Sequence, residues 1–117
     1  MAKILLVEDE MLVRELAFED LGDAGYDVVT ANDADAAMKI LGDDTAFDLL
    51  FTDIKMPSAM DGRELAVEAK QLIPGLKVIY ASGLADVGPA GAGERYLAKP
   101  YRRETLFKLL DELGISA

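Results

Sequence analysis

Two apolar runs in this chain end in carboxylates. Ile4-Leu5-Leu6-Val7 leads into Glu8 and Asp9, and Leu49-Leu50-Phe51-Thr52 leads into Asp53. Gathered at one edge, these acids repel one another by up to about 4 kcal/mol per close pair at an effective dielectric near 20, so a positive group is expected among them. Lys99, which ends the short run Tyr96-Leu97-Ala98, is placed to supply it. An ionised Asp in such surroundings can attack a phosphoryl group and form an aspartyl phosphate without a general base. It needs a divalent cation and a lysine to neutralise the phosphoryl oxygens. Asp53 is the candidate nucleophile, Glu8 and Asp9 are the candidate metal acids, and Lys99 is the counter-charge.

These residues meet only if the runs are neighbouring strands of a parallel sheet. Short continuous apolar runs suit strands buried on both faces, and open α/β sheets bind ligands at the carboxyl edge of their strands. The rest of the chain alternates accordingly, with further strands predicted at 26–31, 77–81 and 94–98. Val13, Leu16, Ala17, Leu21 and Ala24 recur at helical spacing ahead of a Gly25 stop. Ala34, Ala37, Met38 and Leu41 mark a second helix, capped by Asn32 or Asp33 and closed by Gly42. Leu65, Ala69 and Leu72 line a third that stops at Pro74-Gly75, and Leu106, Leu109, Leu110 and Leu113 line the last. Glu10 is assigned to the first turn of the first helix, where an acid favours the helix dipole. A short helix is also expected within 83–93, although Gly83, Gly88, Gly91, Gly93 and Pro89 disfavour it. Five β-α units with short connections imply one α/β domain over residues 1–117, a parallel sheet covered by helices on both faces.

Composition removes most other chemistry. The 117 residues include neither Cys nor His, so disulfides, zinc sites, thiol nucleophiles and imidazole catalysis are excluded. A bound metal would be a hard cation on oxygen ligands, such as Mg²⁺ or Ca²⁺. The net charge of -10 argues against direct nucleic-acid or anionic-membrane partners, which need clustered Lys and Arg. No G-x-G-x-x-G follows the first strand and no G-x-x-x-x-G-K-[ST] occurs, so nucleotide binding in the usual style is not expected. The four-residue apolar run near the N-terminus is shorter than the roughly 7–15 residues of a signal peptide, and nothing approaches the roughly 20 of a membrane span. A soluble cytoplasmic protein, with no membrane insertion, is the expectation.

The ordered set of motifs resembles the receiver domain of two-component response regulators over residues 3–113. The residues that carry the likeness are Glu8-Asp9, Thr52-Asp53-Ile54-Lys55-Met56-Pro57 with Met60-Asp61-Gly62, Ala81-Ser82-Gly83, and Tyr96-Leu97-Ala98-Lys99-Pro100-Tyr101. The Tyr101-Arg102-Arg103-Glu104 stretch is similar to receivers attached to hybrid histidine kinases, and free-standing single-domain regulators are the other likeness. The chain departs from the usual pattern in three places: Glu8 where Asp is commoner, Ser82 where Thr is common, and a loop over 57–62 that is one residue longer.

The resemblance implies a flavodoxin-like doubly wound sheet with strand order 2-1-3-4-5 and a cis Lys99-Pro100 peptide. It further implies that Asp53 accepts a phosphoryl group from a histidine kinase or histidine phosphotransfer protein. Mg²⁺ would be held by Asp9, Asp53 and the Lys55 backbone carbonyl, with Glu8 acting through water. Lys99 would pair with the phosphoryl group, Ser82 would hydrogen-bond to it, and Tyr96 would swing inward as Ser82 moves. The output surface would comprise the 84–94 segment, the fifth strand and the last helix. The domain would be a signalling module that promotes only its own phosphorylation and dephosphorylation. Two alternatives stand beside this: a pseudo-receiver that only binds partners, and a phosphohydrolase with an Asp nucleophile. The phosphohydrolase motif needs a second acid two residues after the first, and position 55 is Lys.

Overall fold

The structure is a computed structural model that describes residues 1–83 and 90–117. Its elements run β1 (Lys3–Val7), α1 (Met11–Asp23), β2 (Asp27–Ala31), α2 (Ala34–Asp43), β3 (Leu49–Asp53), α3 (Gly62–Leu72), β4 (Lys77–Ser82), β5 (Glu94–Ala98) and α4 (Arg103–Glu112). The five strands form a single parallel sheet in the order β2-β1-β3-β4-β5, the doubly wound arrangement that the sequence implies. Residues 84–89, on which much of the short helix expected within 83–93 and of the expected output segment over 84–94 falls, lie outside the described residues.

Alternation along the strands divides the core into two layers. Leu5, Val7, Leu50, Val78 and Tyr80 face one way, against Ala34, Ala37 and Leu41 of α2 and Leu65, Ala66 and Ala69 of α3. Ile4, Leu6, Leu49, Phe51, Ile79, Ala81 and Leu97 face the other way, against Ala17 and Leu21 of α1 and Leu106 and Leu110 of α4. The same parity carried past the strand ends puts Glu8, Asp53 and Lys99 on the α1/α4 side. Ser82 and Tyr96 fall on the α2/α3 side.

Local chemistry explains where the helices start. Asp33 caps α2 by accepting from Ala36 N at 2.8 Å. Asp61 and Glu64 form a reciprocal capping box at the start of α3. Gly25, just past α1, has φ +98°, a left-handed turn suited to glycine.

Two helices differ from the apolar stripes expected of them. In α1, Ala17 and Leu21 are buried, whereas Leu16 is 61% exposed and Ala24 is also exposed, as are Met11, Leu12 and Phe18. The apolar residues of α1 are spread around the helix among Arg14, Glu15, Glu19 and Asp20, and only the row Val13-Ala17-Leu21 at four-residue spacing turns toward the sheet, with Val13 half-buried, so Leu16 is turned outward. In α3, Leu72 at the last residue is exposed while Leu65 and Ala69 are buried. Glu10 is a correction too: it occupies the N-cap position of α1 rather than the first turn, and its side chain makes no cap hydrogen bond.

Gly62 joins this scaffold to the carboxyl edge of the sheet. Its N–H donates to the Ile54 carbonyl at 2.7 Å, and a Cβ at this position would lie 1.9 Å from the Asp53 carbonyl oxygen. The close approach of two backbones, with no positive φ involved, is what requires glycine here. Gly62→Ala should therefore destabilise the fold by roughly 1–3 kcal/mol in chemical denaturation and disturb the backbone resonances of Asp53. A variant of unchanged stability would show that the contact relaxes freely.

Candidate functional site

The register of the sheet levels the acids. Val7 pairs with Thr52, so the next residues, Glu8 and Asp53, stand side by side at the ends of β1 and β3. The Glu8 N–H continues the ladder to the Ala31 carbonyl at 3.1 Å. On the other flank Asp53 pairs with Ala81, Ser82 pairs with Ala98, and Lys99 N–H donates to the Ser82 carbonyl at 2.8 Å. Lys99 thus leaves the sheet two strands from Asp53, and its ammonium reaches back across β4. Lys99 Nζ donates to Glu8 Oε1 at 2.8 Å and forms an ion pair with Asp53 Oδ1 at 2.6 Å. The Lys99-Pro100 peptide is cis, as the resemblance implies.

Glu8 and Asp53 are 3% and 4% exposed, while Asp9 is open to solvent. Glu8 is held from both ends: its Oε2 accepts from the Glu10 N–H at 3.0 Å, and its carbonyl accepts from the Arg14 guanidinium at 2.9 Å. Among the described residues neither side-chain oxygen of Asp53 has an aligned hydrogen-bond partner. Buried oxygens left in this condition are costly and call for a cation beyond Lys99. One carboxylate oxygen from each of Glu8, Asp9 and Asp53 lies within 4.8 Å of the others, a spacing and donor type that fit a hard divalent ion.

A cavity of about 340 Å³ opens onto this group, lined by Asp9, Glu10, Asp53, Lys55, Ala81, Ser82, Gly83 and Lys99. Lys55 is exposed at its rim. Tyr96 is not part of the lining; it is half-buried on the opposite side of the sheet, stacked on Tyr80. Sequence reasoning did not single out Arg14 or Tyr101. An arginine in a helix reads as a solvated side chain, and nothing in its spacing from Glu8 marks it. Tyr101 follows Lys99-Pro100 directly and packs its ring on Phe51 with centroids 5.7 Å apart, a position the motif gave but a role it did not.

Electrostatics reflects the crowding. Burial, then the closeness of the Glu8 carboxyl, pushes the Asp53 carboxyl up to about 8, with Lys99 opposing the rise. For Glu8, burial acts upward but is outweighed by the neighbouring Asp53 carboxyl, the Lys99 ammonium and the Glu10 N–H, so its carboxyl sits below the usual range. Burial acts downward on the Lys99 ammonium, and the two acids more than reverse that. Burial and then Glu8 push the Tyr101 phenol up to about 12.

Residues 4–111 match the response regulator receiver domain family, and the chain belongs to it. The whole chain aligns at 34% identity with the whole of the response regulator receiver protein CpdR of Brucella abortus. It is 33% identical, over 96% of its own length, to 12% of the sensor kinase CckA of the same organism. Among solved structures, the receiver domain of the hybrid histidine kinase CckA superposes with a TM-score of 0.83 at 32% identity, covering 96% of this chain and 98% of that one. The response regulator TrrA of Thermotoga maritima, solved in complex with Mg²⁺ and beryllofluoride, gives 0.84 at 29% identity, covering 97% and 99%. The acidic pocket of this chain is of the kind that binds Mg²⁺ in such domains.

The raised Asp53 carboxyl has a definite sign for stability. Between about pH 4 and pH 8 the folded state keeps a proton that the unfolded chain releases. The contribution of Asp53 is therefore full below about pH 4 and is lost as the pH rises toward 8. In EDTA, Asp53→Asn should gain on the wild type by at least about 1 kcal/mol between pH 5 and pH 8, measured by urea unfolding. Parallel stability curves for the two proteins would contradict the assignment.

Proposed function

We propose that the domain is a phosphorylation-dependent switch in which Asp53 is the phosphoacceptor. The donor is the phosphohistidine of a histidine kinase or histidine phosphotransfer protein. An Asp53 carboxylate oxygen attacks phosphorus, the phosphorus–nitrogen bond breaks, and the imidazole departs with its electron pair and takes up a proton. Mg²⁺, when bound, neutralises charge on the phosphoryl oxygens. Asp9, Asp53 and the Lys55 backbone carbonyl would hold it, and Glu8 would act through water. Lys99 pairs with the transferred group, and Ser82, at the cavity wall, hydrogen-bonds to it. Tyr96 turns inward when Ser82 is drawn toward Asp53, which changes the surface around β5 and α4 for a protein partner. The domain has no substrate beyond the phosphoryl donor and promotes its own phosphorylation and dephosphorylation only.

The observation that carries this reading is Asp53 itself: buried, unaligned with any donor among the described residues, and paired with a lysine at the floor of an open acidic cavity. A protein donor is favoured by what lies next to that opening. Glu10, Val13, Leu16, Ala17, Asp20, Lys99, Pro100 and Tyr101 line an adjoining, largely apolar cleft, in which Leu16 is exposed. Apolar surface beside a charged site is an association surface rather than a feature a small ion needs. A cytoplasmic location agrees with this chemistry, and among the described residues no helix is long and apolar enough to cross a membrane.

Incubation with acetyl phosphate or a phosphorylated histidine kinase should label Asp53, and EDTA should abolish the labelling. Asp53→Asn should take no label, and Lys99→Ala should slow it by about a hundredfold. Label retained in Asp53→Asn would overturn the assignment, and a folded wild type that takes none from any donor would favour the pseudo-receiver.

A further inference from the structure

On the face of the sheet opposite the acids, Tyr80 and Tyr96 are paired residues of β4 and β5. Their rings stack with centroids 5.3 Å apart and planes 27° from parallel. The Arg63 guanidinium of α3 lies over both, 5.4 Å from the Tyr96 centroid and 6.0 Å from that of Tyr80. Tyr80 is fixed in turn: it is buried, and its hydroxyl donates to Glu94 Oε2 at 3.5 Å, the carboxylate that also pairs with Lys70 of α3. Arg63 directly follows Gly62, the residue packed against the Asp53 carbonyl. A single covalent step thus separates the backbone at the acidic site from the cation that covers Tyr96.

We infer that Arg63 is a positioning residue that holds the Tyr96 ring inward against Tyr80 beneath α3, and so favours the phosphoryl-bound arrangement of the domain. The inference rests on the reading of Tyr96 as the switch. Guanidinium over an aromatic face is attractive, and more so where water is partly excluded, as it is above a buried Tyr80 and a half-buried Tyr96. A ring that leaves this position gives up both the stacking and the cation. If inward Tyr96 and phosphoryl binding are coupled, linkage requires that whatever favours the first also tightens the second. Ser82 provides the path for that coupling. It shares a sheet face with Tyr96, two residues along the ladder that pairs Tyr80 with Tyr96 and Ser82 with Ala98.

The test is a beryllofluoride titration in excess Mg²⁺, followed through the Tyr96 ring resonances, for the wild type, Arg63→Gln and Arg63→Lys. Arg63→Gln should move the Tyr96 ring resonances and raise the beryllofluoride midpoint about fivefold, with melting temperature and Mg²⁺ affinity close to wild type. Arg63→Lys, which keeps the cation, should stay within about twofold. In a Tyr96→Leu background, Arg63→Gln should have no further effect on the midpoint. A responsive Tyr96 ring with an Arg63→Gln midpoint equal to wild type would overturn the role of Arg63 alone. An undiminished Arg63→Gln effect in the Tyr96→Leu background would do the same. A wild-type Tyr96 ring that ignores beryllofluoride would overturn both the switch and the clamp.

Discussion

One ammonium group set between two buried carboxylates organises this molecule. Lys99 Nζ lies within 3 Å of oxygens of both Glu8 and Asp53, at 2.8 and 2.6 Å. Adjacent strands are about 4.8 Å apart, so Lys99 spans two strand spacings to reach Asp53 and one more to reach Glu8. The contact exists only with β1 beside β3 and β5 on the far side of β4. It also needs all three residues to share one face, which the strand parity provides. Moving any one strand by one residue would send its charged group to the other side of the sheet.

The pairing is incomplete by design of the residue set. One positive charge faces three carboxylates, and burial of Glu8 and Asp53 removes the water that would screen them. Burial first and the neighbouring Glu8 next raise the Asp53 carboxyl, and among the described residues its oxygens have no aligned donor. Buried negative charge in excess of its counter-charge is costly, and a divalent cation is its natural complement. Glu8, in a position where Asp is commoner, adds one methylene. That length lets its two oxygens reach the Lys99 ammonium and the Glu10 N–H at once.

Much of this was legible in the sequence because the signals were of the strongest kinds. Continuous apolar runs ending in Glu8-Asp9 and Asp53 mark buried parallel strands, and the motif around Lys99-Pro100 marks the fifth. Strand order came from family resemblance, since periodicity alone does not rank strands in a sheet. Leu16 differs from expectation because the apolar residues of α1 are scattered around the helix among its charges, which hides which row is buried. Glu10 was misplaced by a single residue at a helix start, where the boundary depends on backbone geometry. Gly62 appears in the sequence only as part of the Met60-Asp61-Gly62 motif, and its need to lie against the Asp53 carbonyl is a contact 9 residues away in sequence. The Arg63 clamp has no local signal at all, because it joins α3 to β4 and β5 through ring faces.

In the proposed cation site Asp9, Asp53 and the Lys55 backbone carbonyl hold Mg²⁺, with Glu8 acting through water, and one carboxylate oxygen from each of the three acids lies within 4.8 Å of the others. Thermal unfolding in EDTA and in saturating Mg²⁺ tests it most directly, because an ion that binds only the native site stabilises in proportion to its affinity. Mg²⁺ should raise the melting temperature of the wild type clearly and that of Asp9→Asn little or not at all, since the exposed position of Asp9 leaves the fold intact on substitution. Equal melting temperatures with and without Mg²⁺ in the wild type, or an undiminished rise in Asp9→Asn, would contradict it.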